Sequence, residues 1–420
     1  NLADIHKAHF AHSITKIKKI PALLIVPNEN VAQKMVSDLN FMGSKANFYP
    51  SRDFNFYNIN GQSKEFEHQR IAVLSQIFHN ELDIVVSTID AIMQFTMPKT
   101  TFQSCKFKLT SGMNISPKEI NQKLIKSGYE RYEQVDGVGQ FSLRGGILDV
   151  FSTNSNNPIR VEFWGDTIDS ISYFDISTQR RTETIQSIEI VPVREVILNS
   201  PEKLLAKIQQ LKDKLSLKMP HSKAVEILNT EIDQLKNTGN IGSRDKFISL
   251  IYENPNTLLD YLPKNTITFI CEQAQVNDRL KTQQEKWVDD FTLYLEDGIL
   301  CKELSSYQLD KNAILSFLLN KQAVYLDLFL TQSYFSKIDK NISFNAHQVP
   351  SWNGSISLLK EDLNSFNKKQ TIVILAGTQK ATERIVFDLS DIFNNVQLVN
   401  NLNNIQTGIK NIVPGSLSSG

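Results

Sequence analysis

Short unbroken runs of apolar residues constrain this chain more than any other feature. Ala22-Leu23-Leu24-Ile25-Val26 contains no polar residue, and Thr371-Ile372-Val373-Ile374-Leu375-Ala376-Gly377 is nearly as pure. Asp83–Thr88 and Thr266–Ile270 are of the same kind. A strand with one wet face alternates apolar with polar, whereas an unbroken run is covered on both faces. Such strands belong to parallel sheets layered between helices, and helical spacing follows these runs. Val31, Met35, Leu39 and Met42 recur at helical intervals after the first run, with Asn28 or Asn30 as cap. Ile89–Gln94 follows the second, and Ala381, Ile385, Val386, Leu389 and Ile392 follow the last. The strand–helix units near residues 22, 266 and 371 predict Rossmann-like α/β layers.

The pattern changes between residues 112 and 198. Ser116-Pro117-Lys118-Glu119 reads as a helix start, the helix running to Lys126 with Gly128 as its stop. Alternating segments follow at Phe141–Val150, Ile159–Phe163, Ile168–Phe174 and Ile185–Val193, and Gly165-Asp166 is placed as a hairpin turn. This predicts a small antiparallel α+β insert. Residues 199–255 return to helix, from Ser200-Pro201-Glu202-Lys203 through Leu204, Ile208, Leu211 and Leu215 and on through Val225–Leu235. The polar stretch Asp339–Ser357 reads as a linker.

Composition narrows the function. With 420 residues the chain predicts about two to four domains. Lys and Arg number 45 against 45 Asp and Glu, so a whole-surface nucleic-acid binder is not expected, although a local basic patch stays open. Cys105, Cys271 and Cys301 lie too far apart for a zinc site or a disulfide framework, which points to a reducing cytoplasm. No apolar run approaches the ~18–20 residues of a membrane span, so no membrane partner is expected. The chain opens at Asn1 without a Met and closes in the Gly- and Ser-rich run Gly415–Gly420, expected to be flexible; it reads as a piece of something longer.

Catalytic motifs are missing. No GxxxxGK(S/T) occurs. The nearest stretch is Ala3–Ala8, where His6 stands in place of a loop glycine and Ala8 in place of the hydroxyl that holds magnesium. Lys7 then reads as a solvated surface lysine. Gly137-Val138-Gly139 lies between strands and reads as a turn, and Gly145-Gly146 as a bulge or tight bend. His6, His9 and His12 have no carboxylate in register and read as polar helix residues; no metal site is expected. The segment Pro158–Asp166 is more informative. Val161 and Phe163 share one face; Arg160, Glu162 and Trp164 share the other. An outward Arg–Trp pair is either a binding hot spot or an ordinary strand whose Trp covers a second small core.

At these residues the chain resembles a known family. Gly139–Phe151, Pro158–Ile171, Phe174-Asp175 and Thr178-Gln179-Arg180 are similar to the transcription-repair coupling factors (the Mfd family), and UvrB shares a related version. Phe48-Tyr49-Pro50, Tyr57 and Arg70–Leu74 look like the front of the same family. The resemblance implies a UvrB-like split Rossmann/P-loop-type α/β domain over 1–111 and 199–338. It implies a UvrA-binding α+β insert over 112–198, then a linker and a small α/β domain over 339–420. Arg144, Arg160 and Trp164 carry over as UvrA-contacting positions, with the two arginines offering bidentate bonds to UvrA carboxylates. Trp164 stands where the family more usually has Phe. Reversing Arg160 to Glu is expected to abolish docking with the fold intact.

The resemblance also implies that the first domain's nucleotide site is degenerate at His6, Lys7 and Ala8. Cys271 stands where the magnesium-binding Asp is expected, followed by Glu272. No catalytic residue, metal or cofactor is then expected here. The ATP- and magnesium-dependent DNA translocase motor, the RNA-polymerase-binding region and a C-terminal domain able to mask the UvrA surface would lie beyond residue 420. The role expected is recruitment of UvrA, and with it excision repair, to stalled RNA polymerase in the cytoplasm. The alternatives are an active UvrB-type ATP-dependent DNA-remodelling enzyme, or a regulatory clamp whose surface the C-terminal domain masks.

Overall fold

The computed structural model describes residues 2, 4–57, 63–321, 323–329, 332–344, 354–366, 369–400 and 402–418. Five strands form a parallel sheet in the order Ala323–Leu326, Ile267–Cys271, Ala22–Val26, Ile84–Thr88, Ala46–Tyr49. The sheet therefore draws on chain from both sides of the insert. Every residue of Ala22–Val26 and of Ile84–Thr88 is buried, as their unbroken apolar character predicts. Period-two alternation divides them between two cores. Leu24 and Val26 pack with Ala8, Ala11, Met35 and Leu39 under the helices Asp4–Lys18 and Glu29–Phe41. Leu23 and Ile25 face a larger core with Ile71, Leu74, Ile208 and Ile232 from the helices Glu65–Phe78, Pro201–Lys218 and Lys223–Thr238. Asn28 is the cap of Glu29–Phe41, its side chain accepting from Val31 N–H at 3.0 Å. Ser200 precedes its helix as predicted but makes no side-chain capping bond.

The insert has its own core. Six strands lie in the order Arg181–Ile185, Thr167–Phe174, Ile159–Trp164, Ile147–Val150, Gln140–Arg144, Glu130–Arg131. All neighbours are antiparallel except the last pair. The helix Pro117–Lys126 buries Ile120 and Leu124 among Phe141, Leu148, Val161 and Ile171. Ser116 caps it, accepting from Glu119 N–H at 3.2 Å, and Gly128 stops it at φ +90°. A side chain at Gly128 would meet Arg194 Cγ at 2.6 Å. The glycines at 145 and 146 form the turn of a hairpin rather than a bulge within one strand, with Arg144 opposite Ile147.

Two readings need correction here. Ile185–Val193 is not one strand: Arg181–Ile185 ends the large sheet, and Ser187–Ile190 pairs antiparallel with Phe107–Thr110 in a separate two-stranded sheet. That pairing, with Leu109 in the insert's core, brings chain from residue 107 into the unit. The run after Pro414 is also held in place as far as it is described. Ser418 donates from N and Oγ to Asp38 at 2.7 and 2.5 Å, and Gly415 sits against Phe41.

The last block is a three-stranded parallel sheet, Ile372–Leu375, Lys410–Val413, Val396–Leu398, packed with the helices Ile356–Ser365 and Gln379–Ser390. Of the expected linker Asp339–Ser357, residues 345–353 lie outside the described residues. Among the described residues no helix is long and apolar enough to cross a membrane.

Candidate functional site

The hairpin of strands Ile159–Trp164 and Thr167–Phe174 carries the outward features. Trp164 pairs with Thr167 across the Gly165-Asp166 turn, where Gly165 adopts φ +61°. Positive φ at the first turn residue suits a two-residue hairpin, and glycine takes it without strain. The register shifts between Glu162 and Phe163, where Asp169 of the facing strand goes unpaired; along Ile159–Trp164 the alternation holds, with Val161 and Phe163 on the core side. Val161 is fully buried while Phe163 is only partly so. Trp164 is 85% exposed, which decides against its covering a second core.

The paired rows of this sheet assemble a charged face. One row runs Ser142, Asp149, Arg160, Ser172; the next runs Arg144, Ile147, Glu162, Ser170. Arg160 donates from Nε to Asp149 Oδ1 at 2.7 Å and from Nη2 to Oδ2 at 2.9 Å. Its Nη1 donates to the Gln179 carbonyl at 3.1 Å, and its guanidinium lies 4.6 Å from the centre of the Phe174 ring. Hydrogen bonding to Asp149 raises the Arg160 pKa above its ordinary value. The bidentate fork that sequence reading assigns to a partner is thus committed within the chain. Arg144 donates one bond to the same Asp149, at 3.1 Å, and its side chain is 56% exposed. Between Arg144 and Glu162, Ile147 stays partly exposed, and Glu162 pairs with Arg181.

Sequence reasoning missed Asp149 as a site residue, although one signal marks it. It is the polar residue in Ile147-Leu148-Asp149-Val150, at an outward register position between two strands that each carry an arginine.

The residues expected to form a degenerate nucleotide corner come together, but Lys7 differs from expectation. Lys7 is 1% exposed, not solvated. It is ion-paired with Asp4 at 2.9 Å and with Glu272. Burial alone would lower the Lys7 pKa, and the Asp4 and Glu272 carboxylates outweigh it and hold the ammonium above its ordinary range. Glu272 takes φ +56° directly after the strand ending at Cys271, and its carboxylate also accepts from Leu328 N–H at 2.9 Å. Cys271 is fully buried, which pushes its thiol pKa up. Ala8 is fully buried and His6 partly so, while Ala3 lies outside the described residues. Among the described residues no group of three or more His, Cys, Asp or Glu is placed to hold a metal.

A buried charge cluster joins the insert to the split domain. Glu195, fully buried, accepts from Arg52 and, at 2.9 Å, from Arg70 Nε. Arg52 also grips Asp245 through two bonds, at 2.7 and 2.9 Å. Nothing in local sequence pattern marks these residues as partners.

Residues 107–195 match the family described as the UvrB interaction domain. The class is therefore an interaction domain of the UvrB kind, set into a split parallel α/β domain. Over all of its length the chain is 28% identical to the transcription-repair-coupling factor of Bacillus subtilis (strain 168). Over 95% of its length it is 26% identical to that of Staphylococcus haemolyticus (strain JCSC1435). It covers 36% and 34% of those two proteins, about a third of their length. The chain is thus related to the transcription-repair-coupling factors and carries a UvrB interaction domain at 107–195.

Proposed function

We propose that this chain is the recruiting part of a transcription-repair coupling factor and docks UvrA through the outer face of its 107–195 domain. One observation carries the reading: within a UvrB interaction domain, Trp164 stands almost fully exposed at a tight turn. On the same sheet Ile147 pairs with Glu162, two residues before Trp164, and Arg144 lies opposite Ile147 on the strand beyond. An exposed aromatic beside an arginine is the composition of an interface hot spot. Arg160, held on Asp149, braces that face rather than reaching from it. The organisation proposed is a split domain on either side of the docking insert at 107–195, running on to residue 338, then a linker with a small α/β domain over 339–420.

Docking rather than catalysis is supported by the corner at Lys7. A working phosphate loop needs a free lysine, a glycine and a hydroxyl; here Glu272 and Asp4 occupy Lys7, and His6 and Ala8 fill the other places. A buried neutral thiol at Cys271 is a poor magnesium ligand. In the whole protein, ATP and magnesium would serve a separate DNA-translocating motor, and RNA polymerase would be met elsewhere. Three free, buried cysteines fit a reducing cytoplasm.

The test is a calorimetric titration of the chain into UvrA from the same source, without nucleotide. Saturable one-to-one binding that Trp164→Ala weakens is expected. No binding by a folded sample, or ATP turnover by the isolated chain, would overturn the reading; turnover would favour a UvrB-type enzyme.

A further inference from the structure

We propose that Asp149 is a positioning residue of the docking face, fixing Arg144 and Arg160 from one carboxylate so that Arg144 alone presents open N–H groups to an acidic group of the partner. The inference rests on the docking reading above.

Asp149 is 1% exposed, yet it sits at an outward register position between the core residues Leu148 and Val150. A lone buried carboxylate is strongly disfavoured unless cations and hydrogen bonds satisfy it. Both are supplied here by Arg160, with two bonds, and by Arg144, with one. The converse matters for binding. Two guanidiniums side by side repel, and each long side chain would otherwise sample many rotamers. A shared carboxylate offsets the repulsion and orders both chains before any partner arrives, which removes part of the cost of association.

The two arginines are not equivalent. Arg160 is 15% exposed at its side chain, lies against Phe174, and spends its remaining bonds on Gln179. Arg144 is 56% exposed and makes its single described bond to Asp149. The partner chemistry this face selects is therefore an apolar recess for Trp164 and Ile147 with a carboxylate at its rim, in reach of Arg144.

The experiment is a double-mutant cycle in the full chain, read by titration against UvrA, with thermal melting to verify folding. Asp149→Asn keeps the shape and one acceptor but loses the charge; it is expected to weaken binding about tenfold by loosening Arg144. In the Arg144→Ala background the same change should cost almost nothing, whereas with Trp164→Ala the losses should multiply. A purely structural role would weaken all backgrounds alike. A folded Asp149→Asn chain that binds as tightly as wild type, or a full tenfold loss in the Arg144→Ala background, overturns the inference. If Trp164→Ala weakens binding and Asp149→Asn does not, this inference alone fails; if the wild-type chain does not bind UvrA, the docking reading fails with it.

Should Asp149→Asn unfold, arginine side-chain NMR on the wild-type chain decides. The Arg160 Nε proton should resist exchange with water, and UvrA should shift the Arg144 signal while leaving Arg160 in place. Equal exchange at the two, or a shift at Arg160, overturns the assignment.

Discussion

Arg52 and Glu195 lie 143 residues apart in the chain and meet as a buried ion pair. Glu195 closes the interaction domain; Arg52 comes from the first half of the split domain and also binds Asp245 from the second. Three stretches of chain thus converge on one charge cluster. Removing one partner of a buried pair typically costs ~3–5 kcal/mol, because the other is stranded in a poorly solvating interior. Glu195→Ala leaves the fully buried Arg70 without its carboxylate and Arg52 with Asp245 alone. We expect a loss of about 3–5 kcal/mol in denaturant unfolding. A change under ~1 kcal/mol would show that water enters and replaces the carboxylate.

Trp164→Ala separates binding from folding. The side chain is exposed, so stability should move by no more than ~0.5 kcal/mol. Affinity for UvrA should fall by about 2–4 kcal/mol if the residue is a hot spot. Calorimetry beside thermal melting reads both quantities, and unchanged affinity removes Trp164 from the interface.

Reversal of Arg160 is expected to cost stability, where the sequence alone predicts an intact fold. Arg160→Glu would set a second carboxylate against the buried Asp149. We expect a fold weakened by about 3–5 kcal/mol, so that lost binding would report unfolding as much as lost contact. Arg144→Glu is the cleaner variant, since that side chain is mostly exposed. It should melt within a few degrees of wild type and still lose UvrA binding. A melting point for Arg160→Glu equal to that of wild type would show that Asp149 finds other partners.

His68 supplies a pH dependence. Burial, helped by the cations of Arg194 and Lys64, lowers its pKa from 6.5 to about 4. The folded chain therefore holds His68 neutral while the unfolded chain takes up a proton below pH 6.5. Stability from this site is complete above pH 6.5 and is lost progressively as pH falls to about 4, up to ~3 kcal/mol in all. His68→Gln should flatten that part of the stability profile, measured by denaturant unfolding across the range. A variant profile as steep as wild type would assign the acid loss to other groups.

Much of the architecture is legible in local pattern. Ala22–Val26 announces a parallel strand because burial on both faces demands apolar residues at every position. Ser116-Pro117 and Gly165-Asp166 announce a helix start and a turn because capping and positive φ are requirements of a few adjacent residues. Even the outward place of Trp164 follows from period two, though its exposure does not. The split of Ile185–Val193 between two sheets is not legible, because the partner of Ser187–Ile190 is Phe107–Thr110, on the far side of the insert.

The same reason governs the charges. Sequence alone determines that Lys7, Arg144 and Arg160 are cations at particular points of a helix and two strands. Asp4 meets Lys7 within one helix, but the other carboxylates reach these cations across strands or across the chain: Glu272 for Lys7, Asp149 for both arginines. Only the tertiary structure decides that Lys7 is buried and occupied, that Arg160 is bonded inside the domain, and that Arg144 and Trp164 stay exposed. Local pattern reports what a residue is and which way its backbone runs. Burial and pairing are properties of neighbours brought together by folding, and they settle which of these groups are free to act.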